Sequence, residues 1–277
     1  MYNPNSLDTV CGALAYALGI EAPSEAAPAN ADLVAYIDTV FGGEKADRVV
    51  MYNPDAIAQW VYEKYPQLVK GVKSRAEIEI PLCSVMPSVT PVCFGTMYTG
   101  AQPAVHGIRR YEKPVIRIDS IFDAALRAGK KCAIISYGNA SLSNIYLERD
   151  MDYFLFPKGG VDAVNAKAAE LIMKDEYDFL LVYNGNYDDV MHRTGPEHPD
   201  ALAQMMFNYQ TFCMFDSLVQ THWKKHNTLV GFGMDHGCHL ATEEDRAARP
   251  NNIGDHGKDI PEDRNILHLY KIHPAEE

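Results

Sequence analysis

The chain has no apolar stretch approaching the roughly 20 residues that a membrane-spanning helix requires, so neither a membrane protein nor a membrane partner is expected. Its first residues, Met1-Tyr2-Asn3-Pro4-Asn5, lack a basic segment followed by an apolar one and do not read as a secretory signal. Positive charge is short as well: 25 Lys and Arg face 37 Asp and Glu, a formal net charge of -12. So acidic a chain repels a phosphate backbone, which argues against a nucleic acid polymer as partner. A small phosphorylated substrate stays admissible, because bound metal ions can supply positive charge locally. The six cysteines (Cys11, Cys83, Cys93, Cys132, Cys213 and Cys238) show no paired spacing. They read as reduced thiols and point to the cytoplasm. Internal repeats and low-complexity tracts are absent, and 47% hydrophobic residues exclude a disordered chain. A length of 277 residues allows one or two domains.

What is present divides at about residue 45. Before it, Leu7, Val10, Cys11, Leu14 and Leu18 recur at helical spacing with Gly19 as a stop. Glu21 to Asn30 reads as a connector, and Leu33, Val34, Ile37, Val40 and Phe41 form a second apolar face closed by Gly42-Gly43. Segment 1–45 is thus expected to be helical, serving internal packing or a subunit contact; the latter admits a homo-oligomer. From Ala46 onward, apolar runs alternate with helical patterns. The runs are Val49–Tyr52, Cys132–Ile135, Phe179–Tyr183, Thr228–Phe232 and Ile266–Tyr270; helices are expected over Val161–Met173 and Pro199 to about Trp223. Unbroken apolar strands alternating with helices predict an α/β fold, with a mainly parallel central sheet flanked by helices on both faces. The whole chain, 1–277, reads as a single domain with little or no cap.

In open α/β sheets ligands bind beyond the carboxyl ends of the strands. Three runs end suggestively: Asn53-Pro54-Asp55 follows the first, Asn184-Gly185-Asn186-Tyr187-Asp188-Asp189-Val190-Met191-His192 the third, and Gly233-Met234-Asp235-His236-Gly237 the fourth. Nine of the ten histidines follow residue 190, among them His256 in a polar loop. Each feature alone has an ordinary explanation, as a helix cap, a tight turn, a surface pair or a solvated histidine. Jointly, carboxylates and imidazoles at neighbouring strand ends suit a transition metal such as zinc. Thr90-Pro91 reads as an N-cap followed by Pro at the first helical position. That is an ordinary helix start, but it also sets a hydroxyl beside free N–H groups and the positive end of the helix dipole.

The order of these features resembles the alkaline phosphatase superfamily. Thr90, the run Thr99-Gly100-Ala101-Gln102-Pro103-Ala104-Val105-His106-Gly107-Ile108, the block Asp188…His192-Arg193-Thr194-Gly195-Pro196, and Asp235-His236-Gly237 carry the resemblance, which extends over Ala46 to Ile272. It is nearest to the nucleotide pyrophosphatase/phosphodiesterase branch, with phosphonoacetate hydrolase close by. The resemblance implies one metal held by Asp55, Thr90, Asp235 and His236, and a second held by Asp188, His192 and His256. It makes Thr90 the nucleophile of a two-metal phosphoester hydrolase that works through a phosphothreonine intermediate. Zinc is the first expectation for both ions and manganese the second. His106 is implied to be structural, Asp188 is preferred over Asp189, and His239 is a reserve ligand.

The chain departs from that pattern at four places. Ala56 and Met191 stand where the superfamily usually has Gly; Cys93 and Tyr111 stand where the phosphodiesterase branch typically has Asn. Tyr111 matters most, since the expected Asn contacts a phosphate oxygen. A sulfatase is disfavoured, because Cys83 is followed by Ser84-Val85 rather than by a Cys-x-Pro-x-Arg signature. The alternatives are a phosphonate hydrolase, phosphomonoesterase or phosphomutase on the same site, a non-catalytic metal-binding relative, and a structural module without chemistry.

Overall fold

Among the described residues ten strands form, in chain order: β1 (Asn5–Ser6), β2 (Arg48–Pro54), β3 (Ile78–Cys83), β4 (Cys132–Tyr137), β5 (Asp152–Phe156), β6 (Phe179–Asn184), β7 (Thr228–Phe232), β8 (His239–Leu240), β9 (Gly254–Asp255) and β10 (Asn265–His273). The computed structural model that shows them describes residues 1–276. Eight strands make one sheet in the order β1-β3-β10-β7-β2-β6-β4-β5, and β8 and β9 form a separate two-stranded ribbon. Every residue of β2, β6 and β7 is buried. That is why these strands read as unbroken apolar runs instead of alternating ones. Two groups of helices flank the sheet. One joins Pro66–Lys73, Val161–Lys174, Asn186–Thr194 and Pro199–His222; the other joins Thr9–Leu18, Ala31–Phe41, Thr90–Thr99, Ile121–Arg127 and Ser141–Ile145. Among the described residues, no helix is long and apolar enough to cross a membrane.

The expected mainly parallel sheet is present, with one reversal. Strand β10 runs antiparallel to both its neighbours, β3 and β7. Apolar periodicity carries no direction, so the run Ile266–Tyr270 could not announce this. Pro81 lies in β3 beyond the stretch that β1 pairs, since β1 reaches only Leu82 and Cys83. The residue therefore pairs on one side alone, the setting proline tolerates.

The N-terminal segment is not wholly helical. Leu7, placed above on a helical face, precedes the helix Thr9–Leu18 and instead donates its N–H to Cys83 O at 3.0 Å, extending the pairing of β1. The connector before Ala31 is pinned by Ala27 N–H to Gly100 O at 2.8 Å.

What matters for function is the sequence of neighbours β7-β2-β6. These three strands are parallel, with Tyr52 opposite Phe232 and Pro54 opposite Asn184. Their carboxyl ends fall on one edge of the sheet. Asp235, Asp55 and Asp188 follow those ends.

Candidate metal centre

The side chains converge as two groups. Asp55, Asp235 and His236 each offer a ligand atom within 4.8 Å of the others, and so do Asp188, His192 and His256. In the first group, His236 Nε2 lies 3.4 Å from Asp55 Oδ1 and 3.3 Å from Asp235 Oδ2. Thr90 Oγ1 joins it, 3.3 Å from Asp55 Oδ2 and 3.4 Å from His236 Nε2. In the second, Asp188 Oδ1 is 3.2 Å from His192 Nε2 and 3.4 Å from His256 Nε2. The rings of His236 and His256 lie with centroids 4.1 Å apart, so the two groups adjoin.

The backbone prepares the imidazoles for coordination. Nδ1 of His192, His236 and His256 meets the carbonyl oxygens of Gly254, Gly237 and Ser88, at 2.9, 2.9 and 3.1 Å. A carbonyl only accepts, so in each neutral ring Nδ1 carries the proton and donates it. Nε2 is left as the free lone pair, directed at the carboxylates. Lone pairs at 3.2–3.4 Å from carboxylate oxygens repel unless a proton or a cation stands between them. Asp188 Oδ1 and Asp235 Oδ2 are moreover buried without a hydrogen-bond partner. Orphaned carboxylate oxygens beside free imidazole nitrogens are the donor set of a borderline divalent cation such as zinc.

Electrostatics separates the groups. Burial, reinforced by Asp235 and Asp188, holds the Asp55 carboxyl well above the usual carboxylate range, and burial raises Asp235 to about 7. Asp188 goes the other way: burial opposes its charge, but the imidazoles of His192 and His256, wherever a proton sits on Nε2 in place of a cation, outweigh it and hold it well below. His192 is raised to about 9, the attraction of Asp188 overcoming burial, while burial lowers His236 and His256.

Several expectations need correction. Thr90 is not an N-cap: the helix starts at Thr90 itself, with Pro91 second and Val89 in the capping position. Nor is there a cradle of free N–H groups, for Pro91 has none and those of Val92 and Cys93 already bond Val89 O at 3.0 Å. The Thr90 hydroxyl turns instead toward Asp55 and His236. His239 is no reserve ligand. Its two nitrogens are committed to Asp263 Oδ1 at 2.6 Å and Asp245 Oδ2 at 3.0 Å. Asp189 lies 3.1 Å from Lys158 Nζ, apart from the ligand groups. His106 accepts Ile108 N–H on Nδ1 at 3.2 Å, so Nε2 donates to Thr96 Oγ1 at 3.0 Å; burial lowers it to about 4, a neutral packing residue. Among the departures, Cys93 is fully buried and Tyr111 is exposed beside the site. Ala56 has φ of +63°, the left-handed backbone that Gly adopts most readily, and its N–H reaches Asp235 Oδ1 at 3.2 Å.

Some residues of the site gave no sequence signal. The Tyr183 hydroxyl donates to Asp55 Oδ2, yet Tyr183 reads as one more buried strand residue. Lys113, Tyr137, Asn139 and Lys158 line, with Asp55, Thr90 and Tyr111, a cavity of about 280 Å³. They come from loops and from the end of β4, which no periodicity links. Asp263 is a third case. It accepts from His239 and, at 2.8 Å, from Lys258 N–H, and its backbone carbonyl accepts Gly237 N–H at 2.7 Å. It thereby ties the loop of His236 to the loop of His256. A Cβ at Gly237 would collide with the Glu262 carbonyl, so only Gly admits this approach.

Cutting one partner from such a buried ionic network costs about 3–5 kcal/mol. Asp263→Ala should therefore lower the unfolding free energy obtained from urea titration by that order. Burial opposes the His239 charge, but Asp263 and Asp245 prevail and raise its pKa. The advantage of wild type over His239→Gln should then be greatest below pH ~6.5 and shrink as pH rises through the raised folded value. An advantage that grew with pH would refute the charged clamp.

No protein-family profile matches the chain, and no curated protein matches it in sequence. Solved structures do. The chain is similar to murine ectonucleotide pyrophosphatase/phosphodiesterase 5, with TM-score 0.63 and 13% identity over 80% of this chain and 87% of that one. The human protein of that name gives 0.62 and 13%, again over 80% and 87%. Phosphonoacetate hydrolase from Sinorhizobium meliloti 1021, in complex with phosphonoacetate, gives 0.53 and 16% over 72% of this chain and 59% of its own. At such identities the likeness is one of fold, and the chain has the alkaline phosphatase-like α/β core.

Proposed function

We propose that the protein is a metal-dependent phosphoester hydrolase whose nucleophile is Thr90. The observation that carries this reading is the placement of Thr90 Oγ1, buried 3.3–3.4 Å from Asp55 and His236 at the wall of the cavity. Asp55, Asp235 and His236, with Thr90, would hold one divalent ion; Asp188, His192 and His256 would hold the other. When bound, the ions supply Lewis acidity and neutralise charge on the attacking and leaving oxygens.

The protein's own part follows from its geometry. Thr90 Oγ attacks phosphorus and its proton passes toward the Asp55 carboxylate, which Tyr183 holds in place through its own hydroxyl. The bond from phosphorus to the leaving oxygen breaks as the bond to Thr90 Oγ forms. Water then attacks the phosphothreonine, the Thr90 Oγ–P bond breaks, and Thr90 recovers its proton. With Pro91 lacking an N–H and those of Val92 and Cys93 bonded to Val89 O, the helix start offers few donors to the phosphoryl oxygens, and charge stabilisation would fall mainly on the ions.

The cavity is walled on one side by Tyr137, Gly138, Asn139, Ser141 and Lys158. It suits small phosphate esters with weak discrimination among leaving groups. A panel of 4-nitrophenyl phosphate, bis(4-nitrophenyl) phosphate and nucleotides, run with zinc- and manganese-loaded protein, tests this. Turnover of both aryl esters is expected. Strict preference for one bulky nucleotide, with neither aryl ester turned over, would refute it.

A further inference from the structure

Asn53 is fully buried in β2, where an apolar side chain would carry no desolvation cost. Its partners show what the amide is for. Oδ1 accepts the Tyr98 hydroxyl at 2.7 Å, and Nδ2 donates to Gly233 O at 2.7 Å. Tyr98 belongs to the helix that begins at Thr90. Gly233 stands two residues before Asp235, and Asn53 itself two residues before Asp55. One amide therefore joins the three segments that supply Asp55, Thr90, Asp235 and His236, the whole of the first group.

A second buried side chain takes the next carbonyl. His268 on β10 meets Met234 O with Nε2 at 2.7 Å. The carbonyl only accepts, so Nε2 carries the proton, and Nδ1 accepts the Tyr270 hydroxyl at 3.0 Å. The strand ladder explains why side chains are needed here. Phe232, the end of β7, is opposite Tyr52 on one side and Leu269 on the other, and Gly233 N–H to Tyr52 O at 2.8 Å closes the pairing with β2. Beyond it, Asn53 from β2 and His268 from β10 carry the ladder over the two residues that lead into Asp235-His236. A Cβ at Gly233 would stand 2.8 Å from Asn53 Nδ2, so only Gly admits the amide. The imidazoles of the second group are oriented elsewhere, by Gly254 O and Ser88 O.

We propose that Asn53, assisted by His268, is a positioning residue that sets Asp235 and His236 against Asp55 and Thr90, so that the first metal group depends on this amide and the second does not. The inference rests on the two-ion reading above. Removing the amide leaves Gly233 O and the Tyr98 hydroxyl buried without partners and releases the ligand loop. A small shift suffices, because metal–ligand distances are confined to within about 0.2 Å.

The test measures each group alone. Asp188→Ala/His192→Ala protein retains the first group and Asp235→Ala/His236→Ala protein the second, and zinc affinity is read by competition with a chromogenic chelator. Adding Asn53→Leu should weaken the first group about tenfold to a hundredfold, the effect of losing an outer-shell partner, and leave the second within about threefold. His268→Leu should likewise act on the first group alone, and His268→Gln, which keeps a donor for Met234 O, should recover most of that loss. Tyr98→Phe removes only the hydroxyl that Asn53 Oδ1 accepts. It is the milder variant should Asn53→Leu fold poorly, with a loss of about threefold or more expected at the first group only. Equal weakening of both groups, as a merely structural role would give, overturns the positioning role alone. So does a first group that none of Asn53→Leu, His268→Leu and Tyr98→Phe weakens. If the wild type binds no zinc, the metal reading falls and the positioning role with it.

Discussion

Replacing Thr90 by Ala is expected to reduce turnover by more than about a thousandfold while leaving the chain folded, the pattern of a lost nucleophile. The fold should survive because Thr90 caps nothing. Its hydroxyl makes only long contacts, 3.3–3.4 Å, to Asp55 and His236, and Asp55 keeps its bond from Tyr183. A stability change within about 1 kcal/mol is expected, as for substitutions that open no large cavity. Thr90→Ser retains the attacking oxygen and should retain part of the activity. Acid quench of wild type during turnover of a phosphorus-labelled ester should leave label on the peptide that contains Thr90. If Thr90→Ala turned over the best substrate at a near wild-type rate, the phosphothreonine would be wrong, and water would have to attack phosphorus directly.

The parts of this protein that the sequence disclosed are those whose physics is local. Strands β2, β6 and β7 are buried along their whole length, so their apolar runs stand out, and the carboxylates just beyond them mark the ends where ligands gather. Direction and register are not local. Nothing in Ile266–Tyr270 distinguishes an antiparallel strand from a parallel one, and two-residue β1 is too short to leave any pattern. The cap reading of Thr90 missed by one residue, because Thr before Pro is compatible with either position. That single position moves the hydroxyl from the helix N–H groups to the carboxylates. The wall of the cavity was hidden for another reason. Lys113, Tyr137, Lys158 and Tyr183 are brought together by the crossing of separate loops and strands, and each alone is an unremarked lysine or tyrosine.

Two divalent ions per chain are expected on elemental analysis after reconstitution with zinc or manganese, falling to one when Asp188 and His192 are both replaced by Ala. Stoichiometry unchanged by that double replacement would sink the assignment. A sharper consequence concerns sign. Burial raises Asp235 to about 7, and Asp55 is raised as well, so without metal the folded state holds protons that the unfolded chain gives up. A raised carboxyl pKa means stability present at low pH and lost as pH rises from about 4 toward the folded value. At pH 8 the metal-free fold therefore carries buried, unneutralised carboxylates, and Asp235→Asn should raise its melting temperature in chelator by several degrees. With metal present the same carboxylate is an asset, since binding to the folded state adds about 4 kcal/mol at a thousandfold excess over Kd. Asp235→Asn should then lower the melting temperature. One substitution with opposite effects in the two melts is what a built metal site predicts; a shift of the same sign in both would mean that Asp235 is a structural carboxylate and that no ion takes the place of its proton.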